Sequence, residues 1–64
     1  MTTPGMDLKV DRVRANITVT ALAAQMGLSR QAVWGIERAA AVSAARASQY
    51  RAALVALATG TVAA

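Results

Sequence analysis

The chain has no cysteine, no histidine and no phenylalanine. Without cysteine there is no disulfide framework and no thiolate metal site. Without histidine the commonest general base and the commonest metal ligand are both missing. Only three carboxylates are present, Asp7, Asp11 and Glu37. Two of them fall in one expected helix, so a catalytic acid pair is not expected and the inventory argues against an enzyme. No metal, cofactor or small-molecule ligand is expected. Aromatics are limited to Trp34 and Tyr50, which argues against a sheet protein. Pro4 is the only proline, so nothing after it forbids helix. The longest stretch free of charge, Ala52 to Ala64, is too short to span a bilayer, which takes about 20 apolar residues. The first residues lack the basic start and apolar middle of a signal peptide. No membrane association is expected, and the reading is a soluble cytoplasmic protein.

What is present is positive charge and alanine. Seven Lys and Arg against three Asp and Glu leave a formal charge of +4 on 64 residues. Basic domains of this size meet nucleic acid, an acidic protein surface or an anionic membrane, or carry the charge only for solubility. The hydrophobic fraction is 56%, but much of it is alanine, which forms helix well and buries little area. A domain this small buries only about 60% of the surface its unfolded chain exposes, so self-association would help it.

The chain reads as all-helical. Residues 1–5 are expected to be a flexible lead, 6–58 a single folded domain and 59–64 a tail. A first helix is expected from Met6 to Ala15, ended by Asn16, a residue that tolerates the left-handed turn. Its apolar pattern is ambiguous, with Leu8, Arg12 and Ala15 sharing a face. A second helix is expected over Val19–Met26, capped by Thr18 and stopped by Gly27. Val19, Leu22, Ala23 and Met26 fall on one side of it. A third helix is expected over Arg30–Arg38, capped by Ser29. Ala32, Val33 and Ile36 form one face, and Arg30, Gln31, Trp34, Gly35 and Arg38 form the opposite one. Residues 39–42 either prolong that helix or form a connector. Ser43 is the next available cap. A fourth helix is expected from Ala44 to Ala58, with Tyr50, Ala53, Leu54 and Leu57 as its buried stripe and Gly60 as its stop.

The run from Thr18 to Arg38, TVTALAAQMGLSRQAVWGIER, resembles the Cro/XRE family of helix-turn-helix regulators. The resemblance rests on Ala23, Gly27, Leu28, Val33, Ile36 and Glu37 at their spacing. Ala23 lets the second and third helices cross closely. Gly27 allows the tight turn. Leu28, Val33 and Ile36 pin the third helix so that its other face is free. The resemblance covers the centre of the chain well, the first helix moderately and residues 39–64 poorly. It implies a compact lambda-repressor-like bundle of four to five helices that contains a helix-turn-helix, with the third helix in the major groove of double-stranded DNA. Ser29, Arg30, Gln31 and Trp34 would then face bases. Arg30 suits guanine O6 and N7, and Gln31 suits adenine N6 and N7. Arg30 can equally be a solvated charge that meets only phosphate, and Gln31 an exposed helix former. Trp34 either packs on a thymine methyl or sugar, or folds over the edge of its helix onto the core. Thr18, Thr20, Arg14 and Arg38 are the phosphate candidates. Lys9 and Arg46 contribute to phosphate binding or are solvated, and Arg51 reads as a plain solvated charge.

Two positions depart from the family. Val19 stands where a glutamine often contacts phosphate. Gly35 stands where a polar reader is usual, and a glycine there suits a close approach of the backbone to a ligand. Arg12 and Glu37 match an Arg–Glu pair that ties the first helix to the third, a structural pair rather than a binding site. The resemblance implies a sequence-specific regulator of the small phage or plasmid repressor type, in a bacterial host cell. Such proteins usually form homodimers on palindromic sites with half-sites about 34 Å apart. Val55 and Val62 are the candidate dimer surface, and a monomer remains the other reading. A different class of function is a protein-interaction module that reuses the same scaffold to bind another regulator. An amphipathic membrane-surface helix over residues 38–58 is disfavoured by the single lysine and the lack of an aromatic belt.

Overall fold

A computed structural model describes the backbone of residues 1–63 and the side chains of residues 1–59. The element order is β1 (Thr2–Thr3), α1 (Gly5–Arg14), α2 (Val19–Met26), α3 (Arg30–Arg38), β2 (Val42–Ser43) and α4 (Ala44–Ala63). The chain is thus mostly helical, with four helices among the described residues. No described helix is long and apolar enough to cross a membrane.

Helix ends follow local chemistry closely. Thr18, Ser29 and Ser43 each accept a hydrogen bond from the amide three residues on, at Ala21, Ala32 and Arg46, over 3.1, 3.1 and 3.2 Å. Each satisfies one of the amides that a helix start leaves free. Asn16 and Gly27 both take positive φ, at 60° and 70°. After α1 the Asn16 amide reaches Val13 O and the Ile17 amide reaches Arg12 O. After α2 the Gly27 amide reaches Ala24 O and the Leu28 amide reaches Ala23 O. The two stops therefore share one hydrogen-bond pattern, in which a left-handed residue turns the chain back over the last turn. Leu28 then packs against the core, as its position in the turn implies. Ala39 is extended at φ −67°, ψ 137°, so α3 ends at Arg38 and residues 39–42 are a connector.

The N-terminus corrects the expected flexible lead. Thr2 pairs with Ser43 and Thr3 with Val42 in an antiparallel ladder, so the chain is not purely helical. The first helix begins at Gly5 and ends at Arg14, one residue earlier at each end than expected. The reason is tertiary. Gly5 is buried and donates its amide to Ala39 O over 2.9 Å. A Cβ there would lie 2.2 Å from Ile36 O and 2.6 Å from Glu37 O. Only glycine lets the start of α1 cross the end of α3 at that distance.

The centre of the core is Leu8, Leu22, Val33 and Tyr50, each fully buried. Ala23, Ala47, Ala53 and Leu54 close around them, and Val42 brings in the β2 strand. Alanine at these positions keeps α2 and α4 close. Ala15, expected beside Leu8, is exposed. α4 passes Gly60, where a stop was expected; a helical glycine costs only about 1 kcal/mol and does not end a helix by itself. Residues 59–63 of the expected tail therefore continue α4, while the side chain of Val62 and the whole of Ala64 lie outside the described residues.

Candidate nucleic-acid interface

α3 is held from one side and open on the other. Val33 is fully buried, Ile36 packs on the core and Glu37 is buried. Ser29, Arg30, Gln31, Trp34, Gly35 and Arg38 are all exposed. The structure therefore brings Arg30, Gln31, Trp34 and Arg38 onto one exposed side of α3, with Ser29 exposed at its N-cap. Ser29 has a second task, since its hydroxyl oxygen is taken by the Ala32 amide. Its proton remains able to donate. Thr18 is in the same position, capping α2 with its oxygen. Thr20 is exposed in the first turn of α2. Free first-turn amides and the positive end of the helix dipole make that turn suited to an anion.

Below the exposed face lies a buried ionic cluster. Arg12 Nε donates to Glu37 Oε2 over 2.7 Å, and its Nη2 donates to Oε1 over 3.3 Å. Arg12 Nη1 also donates to Ile17 O over 2.9 Å. The side chains are 12% and 5% exposed, so the pair is desolvated as well as bidentate. The expected partly buried link between the first and third helices is present. Its hydrogen bonds with Glu37 raise the Arg12 pKa against the opposing effect of burial.

Tyr50 completes the cluster and was not foreseen as a polar residue. Its hydroxyl donates to Glu37 Oε2 over 2.5 Å. Burial, and then the hydrogen bond to the carboxylate, push the phenol well above its ordinary value. The sequence signal was a tyrosine in an otherwise aliphatic stripe, in a chain with one acid near a core face. A buried phenol needs an acceptor, and Glu37 was the available one.

The other charges separate cleanly. Asp11 accepts from Arg51 Nε over 3.2 Å in an exposed pair, so Arg51 is not the unpaired solvated charge expected. Arg46 donates to the Gln49 side chain over 3.2 Å. Among the described residues Lys9, Arg14, Arg30, Arg38 and Arg46 have no carboxylate partner. Asp7 is the one acid outside an ion pair, so the uncompensated charge sits on α1, α3 and the start of α4.

Trp34 is 41% exposed, neither a core residue nor a free one. It lines a groove of about 600 Å³ with Met6, Lys9 and Arg38, over Arg12 and Glu37. Adding a Cβ to Gly35 would meet nothing within 4 Å, so no packing inside the protein calls for glycine there. Comparisons with family models, with curated proteins and with solved structures give no match for this chain.

Proposed function

We propose that the protein binds double-stranded DNA in a sequence-specific way and acts as a small repressor-like regulator. In this reading α2, the Gly27 turn and α3 are a helix-turn-helix of the Cro/XRE kind within a lambda-repressor-like bundle. The observation that carries it is α3 itself. A nine-residue helix buries Val33 and Glu37 and turns Arg30, Gln31, Trp34 and Arg38 outward together. Arg30 and Gln31 stand at its N-terminal end, where such a helix meets base edges. Arg30 reads guanine and Gln31 reads adenine, each pair discriminating by about 1–3 kcal/mol. Thr18, Thr20, Arg14 and Arg38 hold phosphates and set the register. Trp34 supplies apolar contact to sugar or a thymine methyl at the edge of the footprint.

Two copies on a palindrome fit this reading. Val55 is 63% exposed and lines a shallow groove with Met1 and Ala52, which makes the outer side of α4 the proposed contact. The deciding experiment is selection of bound duplexes from a random pool at near-physiological salt, repeated with Arg30→Ala and Gln31→Ala. A motif that loses one defined base in each variant supports the reading. Enrichment of no motif by the unmodified protein overturns it.

A further inference from the structure

Met6, Val10 and Val13 are exposed at 60%, 39% and 59%. They recur at i, i+4 and i+7 along α1, so they form one stripe. Leu8 and Arg12, which face the core and Glu37, lie on the other side of that helix. Small soluble domains scatter exposed apolar residues singly, and a continuous stripe marks a contact surface. This stripe does not end at Met6. Met6 also lines the Trp34 groove, so the apolar surface runs from α1 onto α3.

Charge selects the occupant. Lys9 and Arg38 flank the groove, and neither has a carboxylate partner. Arg14 stands one residue past Val13, also unpaired. The exposed Asp7 also stands on α1, but Lys9, Arg14 and Arg38 leave the surface net positive, so a second copy docked here would set like net charge against like. An acidic segment with apolar residues at helical spacing matches both features at once.

We propose that the Met6–Val10–Val13 stripe and the adjoining Trp34 groove dock an acidic amphipathic helix of a partner protein. The apolar side of the helix lies along α1 with an anchor residue on Trp34, and its carboxylates meet Lys9, Arg14 and Arg38. Docking does not depend on the DNA reading. Its consequence does: because Trp34 and Arg38 also belong to the proposed DNA face, a docked helix and a duplex exclude each other, and the partner displaces the protein from DNA.

Trp34 is the only tryptophan, so its fluorescence reports this groove directly. The probe is a synthetic helical peptide of Leu and Glu with Leu at i, i+3, i+4 and i+7. The control has the same composition with the Leu residues scattered. The expected result is saturable binding of the first peptide with a blue shift of Trp34 emission, and weak binding of the control. Val10→Ser, Val13→Ser and Lys9→Glu should each weaken binding by about tenfold, whereas Arg46→Glu, with the same change in net charge but outside the groove, should leave it nearly unchanged. Equal binding of both peptides, or equal losses from Lys9→Glu and Arg46→Glu, reduces the effect to non-specific attraction and overturns the proposal. So does a dimer in sedimentation that Val10→Ser and Val13→Ser dissolve, which would give the stripe to a second copy. Loss of duplex binding by those two variants to the degree seen with Arg30→Ala overturns it too, by giving the stripe to DNA. If the peptide binds as described but no duplex is ever selected, docking stands and only the competition falls with the DNA reading.

Discussion

Tyr50 and Glu37 share a 2.5 Å hydrogen bond inside the core, joining α4 to the last turn of α3. Because Arg12 holds the same carboxylate, α1, α3 and α4 meet at one acid. The polar cluster beneath α3, together with Val33 and Ile36 in the core, therefore positions its exposed face. Removing different members should cost different amounts. Tyr50→Phe removes one donor, leaves Glu37 paired with Arg12 and should cost about 1.5–3 kcal/mol, the range for a hydrogen bond to a charged group. Glu37→Ala strands a buried cation and a buried hydroxyl, and should cost about 3–5 kcal/mol. Urea denaturation of the two variants tests the order. Equal losses would mean that the Arg12 pair contributes nothing beyond the phenol.

The same phenol gives the stability a pH limit. Burial and the bond to Glu37 raise the Tyr50 pKa above its ordinary 10.0. The neutral form is thus the one the folded state prefers. Below pH 10 the phenol is neutral in both states and its contribution is whole. As pH rises above 10 the unfolded chain ionises first, and stability falls until the raised folded value is passed. The melting temperature of the unmodified protein should therefore fall faster above pH 10 than that of Tyr50→Phe. Parallel curves through that range would contradict the assigned environment.

Two glycines make opposite predictions for one substitution. Gly5→Ala drives a methyl into the Ile36 and Glu37 carbonyls, and backbone cannot give way cheaply. It should destabilise by about 1–3 kcal/mol or more through overpacking. Gly35→Ala adds a methyl in open space at mid-helix and should stabilise by about 1 kcal/mol. Thermal melts of the two variants read the signs. If Gly35→Ala is more stable and also binds DNA less well, the glycine serves a close approach of backbone to duplex.

What was legible in the sequence was the local part of the fold. Thr18, Ser29 and Ser43 cap because a short polar side chain meets free amides within three residues. Asn16 and Gly27 turn the chain because they tolerate positive φ. The stripe Tyr50, Ala53, Leu54 and Leu57 follows from helical period alone. The α3 surface was legible for the same reason, since Ile36 and Trp34 fall on opposite sides of a helical wheel. What was missed depends on residues far apart in the chain. No local signal pairs Thr2 with Ser43, or sets Gly5 against Ile36. Asp11 and Arg51 are joined across 40 residues, and nothing near either one names the other. Tyr50 was read correctly as buried, but its hydroxyl partner lies on another helix. Gly60 was misread because glycine ends a helix only where a left-handed turn is satisfied beyond it.

Salt should separate the two arginines of α3. Both are exposed and neither is ion-paired, so charge and exposure do not set them apart. Their positions do. In the proposed DNA complex Arg30 opens the helix at the end that would meet base edges, and Arg38 closes it where the helix would leave the groove. A phosphate contact releases a counterion, so losing it lowers the slope of log affinity against log salt by about 1 and weakens all sequences alike. Arg38→Ala should do this. Arg30→Ala should instead cost about 1–3 kcal/mol on the selected site and relax the preference at one base pair. Titrations of the selected duplex and a scrambled one, over a range of salt, read both effects. A change of slope with Arg30→Ala and loss of base preference with Arg38→Ala would mean that the helix enters the groove in the opposite sense.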